Sequence, residues 1–89
     1  MKFQWNPEKN VKLKRERGIS FEEIKEAIAL GGLLDQIKNP NYPDQQILIV
    51  NIQGYAVGVP CIENTEGFFL KTAYFSRKYT KDYLKGDHA

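Results

Sequence analysis

The chain has 89 residues, a formal charge of +2, 42% hydrophobic and 12% aromatic content, which leaves no room for two cores and excludes an intrinsically disordered segment. Its one cysteine, Cys61, and one histidine, His88, exclude a disulfide framework and a zinc cluster built within one chain. No apolar stretch approaches the roughly 20 residues of a membrane helix, and the start MKFQWNPEKN has no apolar signal core, so the expectation is one cytoplasmic domain over residues 1–89, away from membranes.

In chain order, Lys2 to Trp5 alternates polar and aromatic residues as a short strand does. Asn6-Pro7 then supplies a helix N-cap with proline at the first helical position. The first helix is predicted from Pro7 to Glu16, with Gly18 as its stop. Only Val11 and Leu13 are aliphatic in it, so much of its surface must face solvent or a ligand. Ser20-Phe21-Glu22-Glu23 reads as a capping box opening a second helix, along which Ile24, Ala27, Ile28 and Leu30 fall at helical spacing before Gly31-Gly32. Leu33 to Lys38 is predicted as a strand, and Asn39-Pro40-Asn41-Tyr42-Pro43-Asp44 has the chemistry of a loop.

Gln46 to Ile52 contains the run Ile47-Leu48-Ile49-Val50, short and β-branched, which predicts a strand buried on both faces at the centre of the sheet. Gln53-Gly54 turns the chain into Tyr55 to Ile62, and Glu63-Asn64-Thr65-Glu66-Gly67 turns it into a strand from Phe68 to Phe75. Pro60 lacks a backbone donor, which predicts an irregularity or an edge near the end of its strand. Ser76 caps a basic last helix from Arg77 to about Lys85, before Gly86. Pairing Ile62 with Phe68 places Lys71 opposite Val59 and Tyr74 opposite Ala56. On that register Lys71 is the one charge in a row with Phe69, Ala73 and Phe75, unless it is a marginal lysine whose stem packs while its ammonium reaches water.

The small net charge hides a segregation. Residues 1–17 carry +4, residues 18–66 carry −5 and residues 67–89 carry +3. Should the basic ends meet in space, they form one cationic face able to bind a polyanion such as RNA by phosphate neutralisation. The alternative is that these lysines merely cover solvated helix faces.

Two segments together resemble the BrnT family of ribonuclease toxins from bacterial toxin-antitoxin pairs, a branch of the RelE-like nucleases. The first is Phe3-Gln4-Trp5-Asn6 with Lys9-Asn10, followed by Arg17-Gly18-Ile19-Ser20-Phe21-Glu22-Glu23; the second is Tyr74-Phe75-Ser76-Arg77-Lys78-Tyr79-Thr80. The resemblance implies an α+β, RelE-like fold: a mostly antiparallel sheet of four to five strands, two N-terminal helices and a C-terminal helix. It further implies metal-independent RNA cleavage that inhibits translation, and a small cognate antitoxin, by analogy a ribbon-helix-helix DNA-binding protein, covering a face that includes Lys9, Arg17, Arg77 and Lys78. Two departures stand out. Arg17 occupies a position where the family commonly has histidine, and the family's last-strand arginine aligns with Thr72, one residue from Lys71.

Metal-free cleavage requires a base for the 2′-hydroxyl, a cation for the charge developing on phosphate and an acid for the leaving oxygen. Arg77 and Lys78 are the candidate phosphate clamp, aided by the helix start. Lys71 is a candidate base, as are the carboxylates Glu63 and Glu66. Lys9 and Arg17 are candidate RNA contacts. Tyr74, Tyr79 and Tyr83 are candidates for stacking a base or donating a proton, with ordinary packing as the alternative, favoured for Tyr74. His88 is given no role. Cys61 within an apolar strand reads as a small core residue, and Glu22, Glu23 and Glu26 as a solvated helix face. With no Walker loop, no dinucleotide fingerprint and no convergent acids, neither cofactor nor metal is expected. A non-catalytic RNA- or ribosome-binding module, or a basic protein-interaction domain, is the competing function.

Overall fold

The computed structural model describes residues 2–85; Gly86 and His88 lie outside the described residues. The architecture is α+β. The elements run β1 (Phe3–Trp5), α1 (Pro7–Arg17), α2 (Phe21–Ala29), β2 (Leu33–Lys38), β3 (Gln46–Ile52), β4 (Tyr55–Asn64), β5 (Gly67–Leu70), β6 (Tyr74–Phe75) and α3 (Arg77–Tyr79), which continues as a π-helical segment, Thr80–Lys85. Six strands form one sheet in the order β1-β5-β4-β3-β2, with β6 beside β4. Every pairing is antiparallel except that of β1 with β5. The strand at the centre is therefore β4, with β3 an interior strand beside it.

Local chemistry accounts for the helices. The Asn6 side chain accepts from the Glu8 and Lys9 amides at 2.8 and 3.2 Å, and Gly18 closes α1 in the left-handed conformation. In α2, the Ser20 Oγ accepts from the Glu23 amide at 3.1 Å while the Glu23 carboxylate accepts from the Ser20 amide at 2.8 Å. Two tertiary ties then lock α1 to α2. Asn10 accepts from the Phe21 amide and donates to Glu22, and Lys14 pairs with Glu23 at 2.8 Å. Because the cap and the ion pair share Glu23, Ser20→Ala is expected to cost about 1 kcal/mol, and thermal melting should register it. Leu30 lies just past the end of α2 and is exposed, contrary to its place in the helical pattern.

Alternation in β3 sorts the core into two layers. Leu48 and Val50 join Leu13, Ile19, Phe21 and Ile24 on the face covered by α1 and α2. Ile47 and Ile49 join Ala56, Leu34, Ile37, Tyr79 and Leu84 on the other face, beneath the C-terminal segment. Thr80 pins that segment: its hydroxyl accepts from the Ala56 amide at 2.9 Å and donates to the Ser76 carbonyl at 2.7 Å. The π-helical winding starts at this doubly engaged residue, where regular α-helix was expected to continue.

The expected strand from Phe68 to Phe75 is broken. Residues paired across β4 and β5 have numbers summing to 131, with Ile62 opposite Phe69, whereas across β4 and β6 they sum to 132, with Tyr74 opposite Gly58. The expected pairings of Ile62 with Phe68, Lys71 with Val59 and Tyr74 with Ala56 are thus corrected. Pro60 explains the break. Its carbonyl accepts from the Lys71 amide at 2.8 Å, so its missing donor faces the same edge of β4, where the ladder cannot continue. The extra residue reverses the alternation. Phe68 and Leu70 point to the helical layer before the break, and Ala73 after it, so Lys71 does not share a row with Ala73 and Phe75. The close approach of Tyr74 requires Gly58, since a Cβ there would lie 2.7 Å from the Tyr74 ring.

Candidate nucleic-acid interface

Arg77 is placed by a short, well-tied corner. The Ser76 amide donates to the Ala56 carbonyl at 2.9 Å, and the Ser76 Oγ accepts from the Tyr79 amide at 3.0 Å. Arg77 follows, exposed, with no side-chain hydrogen bond or ion pair among the described residues. A guanidinium so placed keeps all five donors for an anion. Lys78 is paired instead, with Asp82 at 2.8 Å, and that carboxylate pushes its pKa up. With 78% of the Lys78 side chain exposed, the pair is weak and screened by salt.

Arg17 ends α1 and donates to the Ala73 carbonyl at 2.6 Å, in the interrupted edge between β5 and β6. This bond draws the end of α1 toward the strand that leads to Arg77. Lys9 lies eight residues earlier in α1, about 12 Å away along the helix axis. Lys71 is exposed, its ammonium 5.6 Å from the centre of the Phe69 ring, the position of a marginal lysine whose stem packs. Its amide is tied to Pro60, four residues along β4 from Ala56, which places its backbone about 13 Å from that of Ser76.

The sheet separates the candidate RNA contacts: Lys9 and Arg17 belong to α1, which packs on one face through Leu13, whereas Tyr79 packs into the core of the opposite face. Tyr79 is therefore a core aromatic as well as a candidate RNA contact. Tyr83 meets it edge to face at 6.3 Å between ring centres, and the Tyr83 hydroxyl donates to Asp35 at 2.6 Å. That hydrogen bond and, next, burial push the Tyr83 pKa up to about 12, while the Asp35 carboxyl is pushed down, first by Tyr83 and then by the Gln36 amide. The Tyr74 phenol is also pushed up to about 12, by burial first and by the Tyr79 hydroxyl beside it. Both shifts run opposite to what a general acid needs at neutral pH. Glu63 accepts from Gln36 at 3.2 Å and Glu66 stands at the β4–β5 turn. Glu63 is seven residues along β4 from Ala56, about 23 Å, so neither carboxylate shares a phosphodiester with Arg77.

Cys61 is fully buried, and burial followed by the nearby Glu63 charge pushes its thiol up to about 12, consistent with a core role. Among the described residues no three His, Cys, Asp or Glu side chains converge as a metal site, and no helix is long and apolar enough to cross a membrane.

One pair of residues escapes the sequence reading. Tyr55 and Phe75 remain 36% and 46% exposed, with ring centres 5.6 Å apart in an edge-to-face arrangement. They line a groove of about 510 Å³ with Gly18, Ile19, Glu23, Ile52 and Gln53. Phe75 reaches this face only because of the break after Leu70, and nothing in the residue pattern predicts how long that break is. Compared with protein-family models, curated proteins and solved structures, the chain matches none.

The depressed carboxyls fix the sign of the acid response. Asp35, Glu22 and Glu23 all lie below their ordinary values, Glu22 chiefly through Asn10 and Glu23 chiefly through Lys14. A carboxyl with its folded-state pKa lowered stabilises the fold above its unfolded-state pKa, and the contribution disappears as pH falls through the folded-state value. The melting temperature is therefore expected to fall on acidification from about pH 5 downward. Asp35→Asn should flatten that dependence. Tyr83, with its pKa raised, contributes below about pH 10 and loses the contribution as pH rises toward 12, so Tyr83→Phe should flatten the alkaline limb.

Proposed function

We propose that this protein is a ribonuclease toxin of a bacterial toxin-antitoxin pair, of RelE-like architecture, acting in the cytoplasm on RNA without metal and neutralised by a small cognate antitoxin. One observation carries the reading: the two segments that resemble the BrnT family meet in space, Arg17 of the first bonding the Ala73 carbonyl one residue before the second. Arg77, in the second segment, is exposed and unpaired among the described residues, where it can stabilise charge on a phosphate in transition. Expression of the protein in bacterial cells should arrest growth, and co-expression of the neighbouring small reading frame should restore it. Continued growth with well-expressed folded protein contradicts the toxin reading.

The antitoxin, by analogy a ribbon-helix-helix protein, would cover Arg17 and Arg77 with an acidic or apolar segment. Charge reversal at Arg77 and Lys78 should weaken that complex in a pull-down, whereas Lys9, two helical turns from Arg17, should contribute little.

The carboxylates Glu63 and Glu66 stand at the far end of β4 from Arg77, and the Tyr74 and Tyr83 phenols hold their protons tightly. A site whose exposed cation has none of Glu63, Glu66 and Lys71 beside it among the described residues suits an RNA- or ribosome-binding module. Salt-sensitive binding of RNA that stays intact would select it.

A further inference from the structure

The exposed Tyr55–Phe75 pair is unexplained by the fold. Phe75 follows the broken ladder edge and Tyr55 opens β4 directly after the Gly54 turn, yet both rings stay partly exposed beside a groove. Both ends of the strand that carries Phe75 are cationic. Arg17 is held at Ala73, two residues before Phe75, and Arg77 follows two residues after it, through the extended Ser76. The bond to the Ala73 carbonyl occupies one nitrogen of the Arg17 guanidinium, leaving others to donate. The acid on the groove wall, Glu23, is neutralised by Lys14 at 2.8 Å. Gln53, at the tip of the β3–β4 turn with φ of 55°, adds an amide with both donor and acceptor atoms. An exposed aromatic pair, one ring of it on a strand flanked by two arginines, with the neighbouring acid already paired, fits a flat ligand attached to phosphates better than it fits an aliphatic protein segment.

We propose that an unpaired base of single-stranded RNA packs against the Tyr55–Phe75 pair, face-on to one ring and against the edge of the other, with its flanking phosphates meeting Arg17 and Arg77. The inference rests on the RNA reading above and specifies the form of RNA taken. A duplex keeps its bases stacked inside and can offer the pair only its backbone, so the groove selects single strands. The tyrosines of the C-terminal segment, Tyr79 and Tyr83, would then fix the sheet and its corner without stacking the base.

Fluorescence anisotropy of the full chain with a labelled, short 2′-O-methyl RNA tests this, because that RNA binds but cannot be cleaved through its 2′-oxygen. Phe75→Leu and Tyr55→Leu keep apolar bulk and remove the aromatic face; each is expected to weaken single-strand binding by roughly 5- to 150-fold. Phe75→Trp should retain binding, and the duplex of the same sequence should bind wild type and Phe75→Leu alike. Thermal melting of each variant separates lost binding from lost folding. Wild-type affinity for single strands in both folded leucine variants overturns the inference and leaves the RNA reading intact. Loss of self-association in Phe75→Leu with RNA affinity unchanged assigns the groove to a second copy of the chain and also overturns it. A wild-type protein that binds neither RNA removes the broader reading and this one with it.

Discussion

Arg77→Ala is expected to reduce RNA cleavage by about 10²- to 10³-fold, the effect of removing one donor that stabilises transition-state charge. Melting temperature should stay close to wild type, since the Arg77 side chain is exposed and the corner is tied by Ser76 and Thr80. RNA affinity should fall only modestly if Arg17 and Lys78, as proposed, still neutralise phosphate. That split places the loss in the chemical step rather than in binding. Single-turnover cleavage and anisotropy on the same preparations check it. Equal, large losses in both would make Arg77 a binding residue only, and unchanged cleavage in the folded variant would remove it from the site.

Gly67→Ala is expected to be the most damaging single-atom change in the fold. Gly67 sits at φ of 135°, where an L side chain is strained, and a Cβ there would collide with the Lys2 carbonyl just before β1. The same carbonyl accepts from the Phe68 amide at 2.9 Å, so the collision cannot be relieved without loosening the β1–β5 pairing. Strain and overpacking together cost roughly 2–5 kcal/mol, a large share of the stability of a domain this size. Thermal unfolding should show a loss on the order of 10–30 °C. Gly54→Ala separates the two causes: Gly54 has φ of 87° but nothing within 4 Å of the added atom, so its cost should be smaller. Equal losses would show that conformation alone decides both.

Much of the architecture is legible locally. Asn6-Pro7, Ser20 with Glu23, and Ser76 each mark a helix start by the chemistry of free backbone donors, and the run Ile47 to Val50 marks a strand buried on both faces. The parallel pairing of β1 with β5 is a long-range choice that no local signal encodes. Pro60 signals an irregularity, but its own position does not reveal that the partner strand would break, gain a residue and turn Phe75 to the helical face. That slip invalidates the row through Lys71, Ala73 and Phe75 and brings Phe75 to Tyr55. Candidate cations were readable as residue types. Which were free was not, because the pairing of Lys78 with Asp82 and the bond from Arg17 to Ala73 depend on side-chain reach and tertiary placement.

Metal-free cleavage of RNA can be read by incubating the purified protein with 5′-labelled single-stranded RNA in EDTA, followed by end-group analysis. Attack of the 2′-oxygen on phosphorus expels the 5′-oxygen of the next nucleotide, so fragments ending in 2′,3′-cyclic phosphate and in a 5′-hydroxyl are expected from wild type and should be greatly reduced in Arg77→Ala. RNA left intact by folded wild-type protein, or cut equally by Arg77→Ala, would contradict this expectation.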